Sequence, residues 1–334
     1  MRLSSLEALP SFALLGPGFG GGRFLLVTDL GEAGGVPDLV FAPFEADGCA
    51  PRRMRGSVQP VELEIDVAPR PIAISLPAEG YRAAVARIRE AIEAGDVYQV
   101  CHCLLARAGE ASGAEILALM CRRGVPRFAS WVRLPWGEEF VSASPELFFE
   151  TDGRRIHSEP MKGTARPDAT GALEASEKDR AELAMITDLV RNDLAQVCRA
   201  RSVRVRCARR IVELPYALQA VSDVEGELAP GATPLDALAA LHPGGSVTGA
   251  PKRAALSMIR ELEPRPRGAY CGSLGLVAGD RSVFALLIRT AVRAAGGWAY
   301  GVGSGVVHDS DAELELEELQ TKLGALWSPI PSST

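Results

Sequence analysis

Glu315, Glu318 and Lys322 follow one another near the C-terminus at spacings of three and four, which puts all three on one face of a helix. One reading is a solvated face with an i,i+4 ion pair. The other joins them to Glu182, in EKDRAEL on a second predicted helix, because carboxylates from two helices can share a hard cation such as Mg²⁺. That ion is commonly held by one or two carboxylates together with waters and substrate oxygens. Glu182 alone reads equally as a surface residue beside Leu183.

Lys162, in Pro-Met-Lys-Gly-Thr, is either a solvated loop lysine or a nucleophile, and the second role requires desolvation or nearby charge to lower its pKa. Glu146, after Ser144-Pro145, is either a helix-start carboxylate or a general acid/base. GGSVTGAPK (244–252) fails the Walker pattern, since Ala250-Pro251 separates Gly249 from Lys252. Its glycines and the helix start that follows would still suit a carboxylate or phosphate, with a plain structural turn as the alternative. The histidines 102, 157, 242 and 308 show no partner pattern for Cys-His or Ser-His-Asp catalysis.

The elements that must position these residues are strands mixed with long helices, an α+β pattern. Residues 1–75 read as a short β-rich segment, with apolar runs at 23–28, 39–42 and 61–67. Within it, GPGFGGG (16–22) is expected to be a flexible turn rather than a phosphate loop. Tyr81, Val85, Ile88 and Ile92 repeat at helical spacing, with Gly95 placed to cap the C-terminus. VYQVCHCLLARA then reads as a strand, with Gln99, Cys101 and Cys103 on one face and Tyr98, Val100 and His102 on the other. His102 therefore cannot join the two cysteines on a metal. Residues 128–134 and 139–143 are further strands, 175–197 is a long helix, and strands are expected at 269–277, 284–292 and 298–307. The last helix runs from about 311 to 326 with a capping box starting at Ser310, and the tail 328–334 is expected to be disordered.

The chain has 334 residues, 47% hydrophobic and 23% charged, which excludes wholesale disorder. A net charge of −6 argues against a general nucleic-acid binder but not against a small anion in a local basic pocket. Seven irregularly spaced cysteines read as reduced thiols rather than a disulfide framework. The N-terminus is a poor signal peptide and no apolar run reaches the ~20 residues of a membrane span, so the expectation is a soluble, cytoplasmic protein with no membrane partner.

Taken together, GDVYQV (95–100), SPELFF (144–149), PMKGTARP (160–167), EKDRAELAMITDLVRNDLAQVC (177–198), the stretch 243–275, IRTA (288–291) and GSGVVHDSDAELELEEL (303–319) resemble the chorismate-utilising enzymes. That family includes anthranilate synthase component I, aminodeoxychorismate synthase component I, isochorismate synthase and salicylate synthase. The resemblance covers residues 77–326 in unbroken order. It implies two β-sheets with flanking helices, the active site between them, and a catalytic domain spanning 76–327. By position, Glu182 and Glu318 match the Mg²⁺ ligands, and Glu315 and Lys322 match neighbouring site residues. Tyr270, Arg289 and the backbone around Gly303 and Gly305 match groups that hold the substrate's carboxylates. Thr248 and Gly249 match residues lining the same pocket, as do Gly163 and Thr164 beside Lys162.

Two positions separate the branches. Gln99 stands where the water-using branches carry a lysine, which disfavours them. Lys162 stands where anthranilate synthases have alanine, and matches the lysine of aminodeoxychorismate synthases that adds covalently at C2 of chorismate. The resemblance thus implies amination at C4 by ammonia, with Glu146 assisting the departing hydroxyl and a separate glutamine amidotransferase subunit as partner. The short N-terminal region lacks the elements of a tryptophan pocket, another mark against anthranilate synthase. Two substitutions depart from the family: Cys101 replaces an asparagine, and Ala217-Leu218-Gln219-Ala220 lacks the histidine expected before Val221-Ser222.

Overall fold

In the computed structural model, described for all residues except 33–36, 46–50, 70–71, 166–169, 215–216 and 328–334, eighteen strands join into one hydrogen-bonded network. Its strands pair antiparallel throughout. Strand Gln99–Ala108 lies near one end and is followed by Gly297–Val306, Thr290–Ala294, Glu139–Ser144 and Phe128–Arg133. The ladder continues through Phe12–Gly20, Arg23–Glu32, Arg52–Val61 and Asp38–Ala42. It then passes to Ser273–Ala278, Arg281–Leu286, Leu147–Asp152, Arg155–Ser158, Ala217–Glu227 and finally Arg204–Leu214.

The α+β class agrees with the sequence, but the two expected sheets are not separate. Chain 139–152 crosses from one half of the ladder to the other, pairing with Thr290–Ala294 before Pro145 and with Arg281–Leu286 after Glu146. The N-terminal strands close the other route: Phe12–Gly20 pairs with Phe128–Arg133, and Asp38–Ala42 pairs with Ser273–Ala278.

GPGFGGG is not the flexible turn that its composition suggests. The strand runs on through Gly20, and only Gly21 and Gly22, with φ of 62° and 103°, make the turn. Gly16 needs its missing side chain because a Cβ there would lie 2.6 Å from the carbonyl oxygen of Ala129.

Helix Tyr81–Glu93 buries Tyr81, Val85 and Ile88, and Gly95 follows it at φ 82°. The long helix runs Glu177–Ala195, where Ser176 Oγ accepts from the Asp179 amide and Leu183, Ile186, Val190 and Leu194 form the buried stripe. The last helix, Ala312–Trp327, is capped by Asp311 rather than Ser310: Asp311 Oδ1 accepts from the amides of Glu313 and Leu314. Ser310 instead donates to Glu315 Oε1 at 2.8 Å. No helix among the described residues is long and apolar enough to cross a membrane. Among those residues six cysteines are free thiols, while Cys49 and the tail 328–334 lie outside them.

Candidate active site

One cavity of about 860 Å³ opens between the two halves of the sheet and the helices Glu177–Ala195 and Ala312–Trp327. Twelve of the residues singled out from the sequence line it: Glu146, Lys162, Gly163, Thr164, Glu182, Tyr270, Arg289, Gly303, Gly305, Glu315, Glu318 and Lys322. Segments far apart in sequence meet here because the crossing strands carry Glu146 and Arg289 to the centre of the sheet.

Glu146 starts no helix. It sits at the break in the crossing strand, buried, with Ser246 Oγ donating to its Oε1 at 3.1 Å. Burial pushes its pKa up to about 7, against the pull of Ser246, Lys162 and Arg289. Arg289 adopts a left-handed backbone, φ 52°, at the matching break in the neighbouring strand, and burial lowers its pKa.

Lys162 lies on strand Met161–Ala165, not on a loop, with its Nζ 4.0 Å from Glu182 Oε2. Burial alone would lower its pKa, but Cys101, Glu182, Glu146 and Glu318 outweigh it and hold the ammonium above its ordinary range. The lowered pKa that a nucleophile needs is therefore not a property of the cavity with its carboxylates uncompensated.

Three expected site residues do not line the cavity. Thr248 is fully buried and donates to the Gly244 carbonyl at 3.0 Å, while Gly249 pairs with Val100 as part of a two-residue strand. The GGSVTGAPK loop is thus folded under the floor rather than open to an anion, and Lys252 is spent on Asp193 Oδ2 at 2.6 Å and the Leu241 carbonyl. Only Ser246 and Val247 of that loop reach the cavity. Gln99 is fully buried behind Gly305, and neither its Oε1 nor its Nε2 has a hydrogen-bond partner among the described residues. A Cβ at Gly305 would collide with Gln99 Nε2 and stand 3.4 Å from Lys162 Nζ.

His102 stacks on Tyr81, away from Cys101 on the cavity side and from Cys103, whose Sγ lies 3.7 Å from the Tyr270 hydroxyl, as strand alternation requires.

The donor set for a cation is three carboxylates. Glu182 comes from one helix, and Glu315 and Glu318 from the other. Lys178 Nζ stands 4.0 Å from both Glu182 Oε1 and Glu315 Oε1, a cation already drawn between the two helices. Lys322 Nζ pairs with Glu318 Oε1 at 2.7 Å and donates to the Gly303 carbonyl at 2.8 Å. All-oxygen donors on two walls of an open cavity fit a hard dication that keeps waters and substrate oxygens. They do not form a closed cage: the three-residue group within 4.8 Å among the described residues is His157, Glu159 and Asp223, elsewhere, and Arg210 and Arg127 already neutralise its carboxylates.

Sequence reading missed Ser246, Lys178, Tyr300 and the exposed Arg123, all of which line the cavity. Lys178, four residues before Glu182, carried a signal in its spacing; the others carried none.

Residues 47–328 match the family described as chorismate binding enzyme. The chain belongs to that family. Its relatives include anthranilate synthase component 1 proteins of Haloarcula marismortui (41% identical over 75% of this chain and 53% of the relative), Thermus thermophilus (38%, 84% and 63%) and Streptomyces coelicolor (37%, 74% and 50%). The chain thus spans between 50 and 63% of the length of these relatives. Among solved structures, the fold matches the menaquinone-specific isochorismate synthase of Escherichia coli (TM-score 0.81, 16% identity, 98% of this chain and 91% of that one). It also matches anthranilate synthase component I of Streptococcus pneumoniae (TM-score 0.75, 21%, 95% and 90%). These sequence relatives carry the name anthranilate synthase component 1.

Proposed function

We propose that this member of the chorismate-binding family aminates chorismate with ammonia, and that Lys162 directs the reaction to C4. The observation that carries this reading is the Lys162 ammonium held in the cavity, facing Glu182 at 4.0 Å.

Chorismate is a dianion, and the cavity offers it Arg289, Lys162 and the Gly303 backbone. Glu182 and Glu318, with Glu315 beside them, would hold Mg²⁺, which would supply positive charge to a substrate carboxylate and to the carboxylates around Lys162. Lys162 gives up a proton to solvent through the open cavity, and its Nζ forms a bond to C2 while both ring double bonds shift along C1, C6 and C5 and the C4–O bond breaks. Glu146, protonated up to about pH 7, supplies the proton that lets the hydroxyl leave as water. Ammonia adds at C4, both ring double bonds return to their original positions, and the C2–N bond to Lys162 breaks to release 4-amino-4-deoxychorismate. Two substitutions over the shared ring diene replace one difficult displacement. A glutamine amidotransferase would supply the ammonia.

A second reading, anthranilate formation, is favoured by the names of the relatives at 37–41% identity. Mass-spectrometric product identification after incubating the protein with chorismate, Mg²⁺ and ammonium at mildly alkaline pH separates the two. A 4-amino product supports amination at C4; anthranilate or a 2-amino adduct overturns it and leaves the family standing.

A further inference from the structure

Strand Met161–Ala165 pairs with Ala217–Glu227, Lys162 opposite Ala220 and Thr164 opposite Gln219. Gly163 is the extra residue of a β-bulge between these pairs, at φ 75°, where a Cβ would stand 2.8 Å from Asp179 Cγ. In a regular strand, successive side chains face opposite ways. Here Lys162, Gly163 and Thr164 all line the cavity around the bulge.

One side chain closes the bulge. Gln219 Nε2 donates to the Gly163 carbonyl at 2.9 Å, and Gln219 Oε1 accepts from Thr164 Oγ1 at 3.2 Å. Thr164 is exposed, while Gln219 is itself buried at 7% exposure on the cavity wall. Its neighbours Leu218 and Ala220 pack on the opposite face with Leu173 and Leu183, which anchors the register of the strand that carries it.

We propose that Gln219 is the positioning residue of Lys162: its carboxamide holds the Gly163 bulge shut and so keeps the lysine amine in the cavity. Gln219 also lines the cavity, but each end of its carboxamide is engaged by the bulge, which ties it to the placement of Lys162. The proposal rests on the reading that Lys162 takes part in the reaction.

The test compares Gln219→Leu, which removes both bonds, with Thr164→Val, which removes one, and with Lys162→Ala. Misplacing a reacting group by about 1 Å can cost ~10²-fold in rate. Gln219→Leu is expected to lower kcat by about 10–100-fold with KM for chorismate changed less than about twofold, and Thr164→Val to lie between it and wild type. Independently of turnover, acylation of Lys162 by an amine-selective ester, mapped by peptide mass spectrometry, is expected to change in rate in Gln219→Leu relative to the other lysines. Unchanged kcat and unchanged Lys162 labelling overturn the clamp, as does a loss of kcat that tracks a lowered melting temperature with Lys162 labelling unaltered. If Lys162→Ala turns over like wild type, the covalent reading fails instead, while the labelling comparison still decides whether Gln219 positions the lysine.

Discussion

Glu146 and Arg289 occupy facing breaks in two neighbouring strands, tied by backbone bonds from Leu286 N to the Glu146 carbonyl at 3.3 Å and from Ala143 N to the Arg289 carbonyl at 3.0 Å. Both strands leave one half of the sheet and enter the other at this point. A carboxyl group and a guanidinium are thereby presented at the centre of the ladder, where a regular strand would alternate its side chains away from the cavity.

Because burial raises Glu146 from its ordinary 4.5 to about 7, the folded state binds a proton there that the unfolded chain has already lost. Its stabilising contribution is complete below about pH 4.5 and is lost as pH rises through about 7. Glu146→Gln should therefore flatten this part of the stability curve, giving a smaller drop in melting temperature between about pH 5.5 and about pH 8 than wild type shows. In kinetics it should remove the decline in kcat above about pH 7 and cost ~10²–10⁴-fold in rate. A wild-type profile with no limb in that region would remove Glu146 as the acid.

Lys162→Ala should abolish or reroute 4-amination while chorismate still binds in the presence of Mg²⁺, as read by calorimetry beside product analysis. Wild-type rates of 4-amination in this variant would end the covalent mechanism.

Glu182→Gln and Glu318→Gln should each weaken Mg²⁺ by at least the ~10–100-fold that loss of an outer-shell partner already costs. Mg²⁺ titrations monitored by calorimetry with chorismate present measure this directly. Curves identical to wild type would show that other groups hold the ion.

Gly305→Ala places a methyl against Gln99 Nε2 and 3.4 Å from Lys162 Nζ, in a wall with no room for it. Overpacking of this kind costs ~1–3 kcal/mol. The expected result is a lowered melting temperature together with reduced turnover; a variant matching wild type in both would mean that Gln99 and Lys162 are free to move aside.

Arg267 is a buried arginine that pairs with Glu263 at 2.6 Å and donates to the carbonyls of Val247 and Cys101, both on the cavity wall. Arg267→Met strands the buried Glu263 carboxylate and should destabilise the fold by ~3–5 kcal/mol in chemical denaturation, and adding Glu263→Gln should recover part of that loss. A single variant as stable as wild type would contradict the pairing.

Local pattern is written in the chain itself. The apolar stripe from Leu183 to Leu194 and the cap at Gly95 follow from 3.6-residue periodicity and left-handed backbone, which neighbours within a turn decide. The strand face shared by Cys101 and Cys103, with His102 turned away, follows from period-2 geometry. Ser310 loses the capping role that its spacing suggests because Asp311 competes one position later and Glu315 claims the serine hydroxyl from across the turn.

The sequence by itself therefore determined the α+β class, the family, and twelve of the residues that share the cavity, since these rest on residue type, local spacing and motif. Only the tertiary structure decided that Thr248 and Gly249 lie under the floor, that the sheet halves are one ladder, that Glu146 is desolvated, and that Gln219 closes the bulge beside Lys162. Each of these depends on contacts between segments far apart in the chain, where burial and hydrogen-bond partners are set by packing rather than by spacing.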